Sequence, residues 1–339
     1  MMVIRPVEMD DLDNIVALAG KTGTGLTTLP HSRVHLKEKI DNSLKAFDKT
    51  EGEPLDECYL FVLEETQTGE VVGTSGIVAA VGTTQPFYTY KMNTEVHYSK
   101  SMDIYRKLNF LTLTNDFTGA SEICTLFLSP DFRGGGNGIL LSKSRFLFMA
   151  QFPKRFGDPV VAEMRGVSDA SGHSPFWECV GRHFFGVDFD VADKENGEGN
   201  NQFIAELMPH HPVYVPMLSQ AAQAVLGEVH PQTKPAVQML LAEGFRKTGY
   251  VDIFDGGPTI ESPVSEVRTV KESFELEITI GEVASRGVTN AMVSNTRLKS
   301  FRACLAKLSP PEGNIITISQ ELADALLIEN GDIIRVRFY

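Results

Sequence analysis

The sequence predicts an α+β protein built on a mixed α/β sheet. Short apolar runs of strand length alternate with longer stretches in which apolar side chains recur at helical spacing. Segments rich in Gly and Pro separate these stretches. At 339 residues the chain is longer than one ordinary domain. Its 42% hydrophobic and 22% charged residues are typical of a soluble globular protein.

The N-terminal elements follow in a regular order. Residues 3–7 are a short strand that carries a Pro, so we expect an edge or a strand start. Residues 10–19 and 31–47 have the apolar spacing of amphipathic helices, and the first has acidic residues in its first turn. Residues 58–64 and 71–81 are strands, joined by a Gly-containing hairpin turn.

The next stretch contains a strand, a glycine loop and a helix. We expect residues 82–120 to be rich in loops, and residues 123–128 to form a buried strand. Residues 133–138 read RGGGNG, and residues 139–149 are apolar with no Gly or Pro, which predicts a buried helix. This order directs backbone N–H groups and the positive end of a helix at one point, which predicts a phosphate site.

The spacing of the glycines indicates which kind of phosphate-containing ligand the loop would bind. A dinucleotide loop that starts at Gly134 would need its third glycine at Ile139, and a Walker loop would need Lys after Gly138. The pattern that does fit is Arg133-x-x-Gly136-x-Gly138. It resembles the pyrophosphate loop (Q/R-x-x-G-x-G/A) of the GNAT-type acyl-CoA N-acyltransferases. The alternative is a glycine-rich turn that merely joins strand to helix.

The elements after the loop extend this resemblance. Residues 159–164 are a buried strand, residues 174–180 a short helix, and residues 181–189 a strand with alternating apolar side chains. The order up to that point is β-α-α-β-β-β-loop-α-β-α-β, which resembles the layout of the GNAT fold. Residues 191–201 are polar and acidic, so we expect a loop and a domain boundary there.

The sequence of the remaining chain predicts two further domains. Residues 218–227 and 236–241 are helices. The second is followed by Gly-Phe, which is similar to the block before residue 190, where a helix ends in Gly and aromatic residues follow. This similarity indicates a degenerate second GNAT-like half. After Pro258 the chain forms a small β-rich module, in which Ser319 caps a short helix. The predicted domains are residues 1–190, 191–262 and 263–339.

Charge and cysteine usage exclude several classes of protein. The formal net charge of −13 argues against nucleic-acid binding. There is no apolar run of about 18 residues, and the N-terminus lacks the pattern of a signal peptide. The four cysteines lie far apart, in no zinc-binding spacing. We therefore expect a cytoplasmic protein with reduced thiols, no metal, no resident cofactor and no membrane partner.

Longer blocks carry a closer resemblance. They run in order from residue 1 to about 260, and the tail after Ser262 matches only loosely. The blocks are MMVIRP, GASEICTLFLSPDFRGGGNGILLSKSRFLFMA, VVAEMRGVSDASGHSPFW, FIAELMPHHPVY, VHPQTKPA and YVDIFDGGPT. They resemble the bacterial arginine N-succinyltransferases. The resemblance implies transfer of succinyl from succinyl-CoA to the α-amino group of L-arginine, the first step of arginine degradation to glutamate and succinate.

The resemblance also implies roles for individual residues. It makes His230 the proton donor and Leu126 a contact of succinyl-CoA. On physical grounds the amides from Gly134 to Gly138 would hold the pyrophosphate, and Arg133 would contact a phosphate or cap the loop. The backbone N–H of Leu126 would face the oxyanion if its strand splays open there. Without the resemblance, Leu126 would be interpreted as a core residue.

Several alternatives stay open at this point. From the residues alone, His173, His210 and His211 are proton-transfer candidates equal to His230. A carboxylate pair suits a guanidinium group, but the sequence does not choose among the candidates, which are Asp116, Glu122, Glu163, Asp252 and Asp255. The acceptor could be ornithine or another basic amino acid, and the chain could be a CoA-binding protein without activity. Homo- and hetero-oligomers are both compatible with the sequence.

Overall fold

The computed structural model describes residues 1–22, 28–50, 52–169, 172–197, 202–208, 210–283 and 287–339. The strands are β1 Met2–Pro6, β2 Cys58–Glu65, β3 Glu70–Val78, β4 Thr89–Ser99, β5 Ile104–Thr114, β6 Ser121–Leu128, β7 Val160–Glu163, β8 Val213–Tyr214, β9 Arg246–Val251, β10 Pro258–Ser262, β11 Phe274–Ile280, β12 Thr289–Asn295, β13 Ala303–Leu308, β14 Ile315–Ile318 and β15 Ile333–Phe338. The helices are α1 Leu12–Ala19, α2 Arg33–Asp48, α3 Asn137–Gln151, α4 Pro175–Cys179, α5 Gly181–Phe185, α6 Phe189–Gly197, α7 Gln202–Leu207, α8 Gln220–Val225, α9 Lys234–Ala242, α10 Arg268–Glu272 and α11 Gln320–Leu326.

One mixed sheet contains all of these strands, which confirms the predicted fold class. Its order is β14-β11-β15-β12-β13-β1-β2-β3-β6-β7-β10-β9-β4-β5-β8. The centre is formed by β1, β2, β3, β6 and β7, and β6 and β7 are parallel. Strands from the later part of the chain extend both edges of this centre, so a single sheet runs through all three predicted domains. The borders predicted at residues 190 and 262 stay predictions.

The two faces of the sheet carry different helices. On β2, Phe61 belongs to the core that also contains Phe146 and Phe148 of α3. Its neighbours Leu60 and Val62 point to the opposite face and pack with residues of α1 and α2. Helix α3 therefore covers one face of the central strands, and α1 and α2 cover part of the other.

The C-terminal module forms as the sequence predicts. Strands β11, β14 and β15 make it rich in β-structure, and Ser319 caps α11 by accepting a hydrogen bond from the Leu322 N–H at 3.2 Å. The buried side chains of this module make their own hydrophobic cluster. Strand β13 pairs with β1 and attaches the module to the central sheet.

The prediction of a loop-rich segment at residues 82–120 is wrong. Strands β4 and β5 pair in a long antiparallel hairpin, from Thr89↔Thr114 to Ser99↔Ile104. Beyond its first residues the hairpin is only half-buried or exposed on both faces. It therefore lacks the apolar alternation by which a half-buried strand is recognised.

Two predictions in the following region are also wrong. Residues 181–189 form no strand, because residues 181–185 are the helix α5. A Cβ at Gly181 would lie 2.2 Å from the Trp177 ring, so this glycine lets the buried Trp177 pack against the start of the helix. Of the loop predicted at residues 191–201, the described part to residue 197 belongs to helix α6, where Phe189 and Ala192 are buried in the core around Trp177.

None of the helices in the described residues combines the length and apolar character that crossing a membrane requires.

Candidate functional site

The glycine loop has a backbone that few other residues could adopt. Gly134, Gly135 and Gly136 have φ values of 112°, 58° and 88°, which lie in the region that favours glycine. Gly136 is the N-cap of α3. The Asn137 N–H donates to the Gly134 carbonyl at 3.0 Å, and the Asn137 side-chain amide donates to the Phe132 carbonyl at 3.0 Å. These bonds fix the loop directly in front of the helix.

The loop leaves several amide groups available. Within the described residues, the N–H groups of Gly135, Gly136, Gly138 and Ile139 donate to no protein acceptor. A Cβ at Gly134 or Gly135 would meet nothing within 4 Å, so the space in front of the loop is open. Unpaired amides at a helix N-terminus attract an anion. Arg133 is exposed beside them. We call residues 133–138 the donor loop.

Strand β6 is distorted just before Leu126. Thr125 has a φ of 54°, which is rare for a β-branched residue, and the register between β3 and β6 shifts at this point. The Thr125 N–H donates to Thr28 Oγ1 at 3.1 Å, and Thr74 Oγ1 donates to the Thr125 carbonyl at 3.0 Å. These bonds hold the strained backbone. Leu126 then packs partly buried against the core on the α3 side.

The sheet opens beside this distortion. Strands β6 and β7 pair only at Ser121↔Val160 and Glu122↔Val161. From Ile123 onward, no strand in the described part of the chain pairs with β6 on that side, while β7 continues to pair with β10. The opening that the role of Leu126 requires is therefore present, and that role itself stays a prediction.

His230 lies at the end of β7. Its N–H donates to the carbonyl of Arg165, just beyond β7, at 2.9 Å. Its Nδ1 accepts the Gln232 N–H at 3.2 Å, and the ring also hydrogen-bonds to the backbone of Ser168. Partial burial, and next the positive charge of Arg165, lower the pKa of His230. This environment favours the neutral form of the imidazole.

Packing brings the His230 segment and the donor loop to the same core. Val229 and Leu126 both pack against the cluster that contains Leu140 of α3 and Val237 of α9. At the other end of α9, Lys143 of α3 forms an ion pair with the buried Glu243 at 2.8 Å. Leu126 and Val229, about a hundred positions apart in the sequence, therefore pack against the same hydrophobic core.

The other three candidate histidines lie at the surface. His173, His210 and His211 are exposed. The described residues contain no group of three or more His, Cys, Asp or Glu side chains that could hold a metal ion.

The structure separates the acidic candidates into two classes. Asp116 is at the surface, where it accepts bonds from Lys91 and Tyr250. Asp255 accepts the N–H groups of Gly166 at 2.6 Å and Gly257 at 2.8 Å, and Asp252 caps its own turn by accepting the N–H groups of residues 254 and 255. These three carboxylates have structural partners.

Glu122 and Glu163 form the second class. Burial, and next the Cys124 thiol, raise the pKa of Glu122 to about 8. Burial, and next the carboxylate of Asp252, hold the pKa of Glu163 well above its usual range. Both residues lie where β6 and β7 separate. A carboxyl group with this environment is a marker of a functional site.

Two surface cavities lie apart from the donor loop and His230. One, of about 570 Å³, is lined by residues at the C-terminal end of α3 and by Lys49 and Tyr59. The other, of about 550 Å³, is lined by residues of α2 together with Cys58 and Val78. Val78 of β3 pairs with Glu122 of β6, so the second cavity lies beside the strand pair that contains Glu122.

Sequence reasoning missed two features of the site. One is the Thr125 distortion with its support from Thr28, for which the sequence holds no signal. The other is Arg145, a buried cation on α3 that donates to the carbonyls of Ser142 at 2.9 Å and Cys124 at 3.3 Å. Burial lowers the pKa of Arg145 to about 10. A cation within an otherwise apolar helix was a signal that could have found it.

Comparison with known proteins gives a consistent result. A family model described as arginine N-succinyltransferase beta subunit matches residues 2–269, and the model of its C-terminal domain matches residues 274–337. Arginine N-succinyltransferases of Escherichia coli (strain 55989 / EAEC) and Enterobacter sp. (strain 638) are 48% and 49% identical to this chain. Each match covers 99% of this chain and 97% of the relative. The solved structure of the arginine/ornithine succinyltransferase subunit AI from Pseudomonas aeruginosa superposes with a TM-score of 0.91 at 37% identity, over 100% of this chain and 98% of that one.

Proposed function

The chain belongs to the arginine N-succinyltransferase family, and on that premise we propose that it transfers succinyl from succinyl-CoA to the α-amino group of L-arginine. The products are N2-succinyl-L-arginine and CoA. The observation that carries this proposal is the near-complete match to the family together with the free amides of the donor loop. The reaction would open the degradation of arginine to glutamate and succinate.

The donor loop holds succinyl-CoA in this proposal. The amides of Gly134, Gly136 and Gly138, with their neighbours, would bind the pyrophosphate, and Arg133 would add a positive charge beside it. The open edge of β6 would pair with the amide groups of pantetheine, as one strand pairs with another. The Leu126 N–H would then face the thioester oxygen, on which negative charge develops during attack.

His230 moves the proton in this mechanism. The attacking amine must lose one proton, and the leaving CoA thiolate must gain one. Because Nδ1 accepts the Gln232 N–H, the ring proton is on Nε2. A neutral imidazole is too weak an acid to protonate a thiolate, so the ring would first accept at Nδ1 the proton that the amine loses, in exchange for the bond from Gln232. The resulting imidazolium would then give its Nε2 proton to the sulfur of CoA, in exchange for the bond to Ser168, and return to the neutral ring.

A direct assay tests the activity. Purified protein is mixed with succinyl-CoA and L-arginine, and the release of CoA thiol is followed together with the mass of the product. We expect thiol release that requires both substrates and a product with the mass of succinyl-arginine. Release with no amine present, or none with arginine, would reject the proposal.

L-ornithine is the second acceptor to include. The relative from Pseudomonas aeruginosa is described as an arginine/ornithine succinyltransferase. Competition between the two amino acids in the same assay gives the preference of this chain.

Assembly and location complete the proposal. The family is described as a beta subunit and the Pseudomonas relative as subunit AI, which supports an oligomer, either of this chain alone or with a second chain. We place the protein in the cytoplasm, where succinyl-CoA and arginine are both available. We assign it no resident cofactor and no nucleic-acid or membrane partner.

A further inference from the structure

Two buried polar atoms without partners lie next to each other at the opening between β6 and β7. Glu163 is the last residue of β7 and pairs directly with Thr259 of β10. Within the described residues, Glu163 Oε1 and Thr259 Oγ1 are both shielded from solvent and have no hydrogen-bond partner. Directly paired residues in an antiparallel pair project to the same face, with their Cβ atoms about 5 Å apart. Buried polar atoms left unpaired in this way require an explanation.

The same face also carries Glu122. Ile123 of β6 and Ala162 of β7 both pack into the core under α3. Because side chains alternate along a strand, Glu122 and Glu163 project to the opposite face. The charge of Glu122 contributes to the raised pKa of Glu163, which places the two carboxyl groups near each other. We call Glu122, Glu163 and Thr259 the acidic strip.

One end of the acidic strip borders a cavity. Val78 pairs with Glu122, and Val78 and Cys58 line the cavity of about 550 Å³ beside α2. The other end of the strip, Glu163, is the last residue of β7, two positions before Arg165, whose carbonyl accepts the His230 N–H.

The chemistry of the strip points to one kind of group. Two nearby carboxylates repel each other and a third acceptor, the Thr259 hydroxyl, lies beside them. A guanidinium group is a planar cation with five N–H donors, so it can bind both carboxylates and the hydroxyl at once. A single ammonium group has three donors on a compact charge, so it can bind fewer of these acceptors at the same time.

We propose that the acidic strip binds the guanidinium group of the acceptor, with Glu163 as the main determinant of specificity. The inference rests on the proposed function, since it takes arginine as the acceptor. Asp252 and Asp255 are not part of the strip, because backbone N–H groups already occupy their carboxylates.

The test uses citrulline, a neutral amino acid with nearly the shape of arginine. In the wild-type protein we expect kcat/KM to be much higher for arginine than for citrulline. We expect Glu163→Gln to lower kcat/KM for arginine about 100-fold while that for citrulline changes little, because the lost interaction is with charge. The KM for succinyl-CoA should stay the same. Glu70→Gln, at an exposed position on β3, is the matched control.

Calorimetry gives a second readout that needs no turnover. L-arginine is titrated into the protein saturated with CoA at pH 7, in buffers of different ionisation enthalpy. Burial raises the pKa of the Glu163 carboxyl, and a bound guanidinium would lower it, so we expect proton release on binding. Glu163→Gln should release fewer protons than the wild type and bind arginine more weakly.

The outcomes separate the two proposals. Arginine binding with proton release but no CoA release would reject the transferase function and leave the acidic strip supported. Equal losses for arginine and citrulline in Glu163→Gln, or unchanged proton release, would overturn the role of Glu163. If that variant does not fold by circular dichroism, Thr259→Val replaces it. There we expect a loss of about 5-fold for arginine alone, and no selective loss would overturn the proposal.

Discussion

The donor loop and the acidic strip are built in opposite ways. In the donor loop the groups proposed to bind the ligand are backbone amides of neighbouring residues, and three successive glycines give them their direction. In the acidic strip the groups are side chains from β6, β7 and β10, which lie far apart in sequence. The donor loop is largely exposed, whereas Glu163 Oε1 and Thr259 Oγ1 are shielded from solvent.

Because of this difference, we expect the two regions to control different parts of the proposed reaction, namely binding of the CoA ester and choice of the acceptor. A backbone cradle recognises a phosphate group that all CoA esters share. Buried carboxyl groups recognise a particular cation, since an unmatched ligand would leave them unpaired. We therefore expect changes in the donor loop to alter affinity for any CoA ester, and changes in the acidic strip to alter the choice of acceptor.

The largest effect should come from His230, which lies beside the end of β7. We expect His230→Ala to lower kcat by about 10²- to 10⁴-fold, because the proton transfer is lost. The affinity for succinyl-CoA should not change, since the donor loop is intact. Thiol release measures the first quantity and calorimetry with CoA the second. His211→Ala, an exposed histidine, is the control, and an equal loss there would remove His230 from the mechanism.

The next effect concerns the ion pair that joins α3 to the end of α9. Lys143→Met leaves the fully buried carboxylate of Glu243 without its cation. We expect the free energy of unfolding to fall by about 3 kcal/mol in urea denaturation. The control is Lys37→Met in the exposed pair with Asp41, for which we expect less than about 1 kcal/mol. Comparable losses in both variants would mean that burial does not strengthen the pair of Lys143 with Glu243.

A smaller effect should follow from a methyl group in the donor loop. Gly136 has a φ of 88°, and a Cβ there would lie 2.6 Å from Leu305 Cδ1. We expect Gly136→Ala to lower stability by about 1–2 kcal/mol and to raise the KM for succinyl-CoA, with kcat for arginine nearly unchanged. Gly119 has the same φ of 88° in open space. Gly119→Ala should lose stability without a change in KM, and a rise in KM there would argue against a local effect.

A separate effect is a pH dependence of stability caused by Glu122. Its pKa is raised from 4.5 to about 8 in the folded protein, so between these values the folded state keeps a proton that the unfolded chain has released. The free energy of unfolding should therefore fall as pH rises through this range, by at most about 1.4 kcal/mol per unit. Urea denaturation across this range measures the slope. We expect a flatter profile for Glu122→Gln, and an unchanged slope would contradict this origin.

The predictability of the fold depended on how far each element is buried. Strand β6 and helix α3 are apolar and largely buried, so their patterns identified them. The hairpin of β4 and β5 was missed because its outer part is exposed on both faces. Residues 181–185 became a helix because Trp177 packs against Gly181, a contact that no local pattern contains.

The sequence alone predicted the glycine loop, the helix that follows it and the order of the central strands along the chain. It could do so because glycine conformation and apolar spacing are local properties of the chain. The three-dimensional structure was needed to show where β6 and β7 separate, that His230 lies at the end of β7, and that Glu163 Oε1 is buried with no hydrogen-bond partner among the described residues. Those features depend on strand register and on hydrogen bonds between residues far apart in sequence, which a single sequence does not encode in any local pattern.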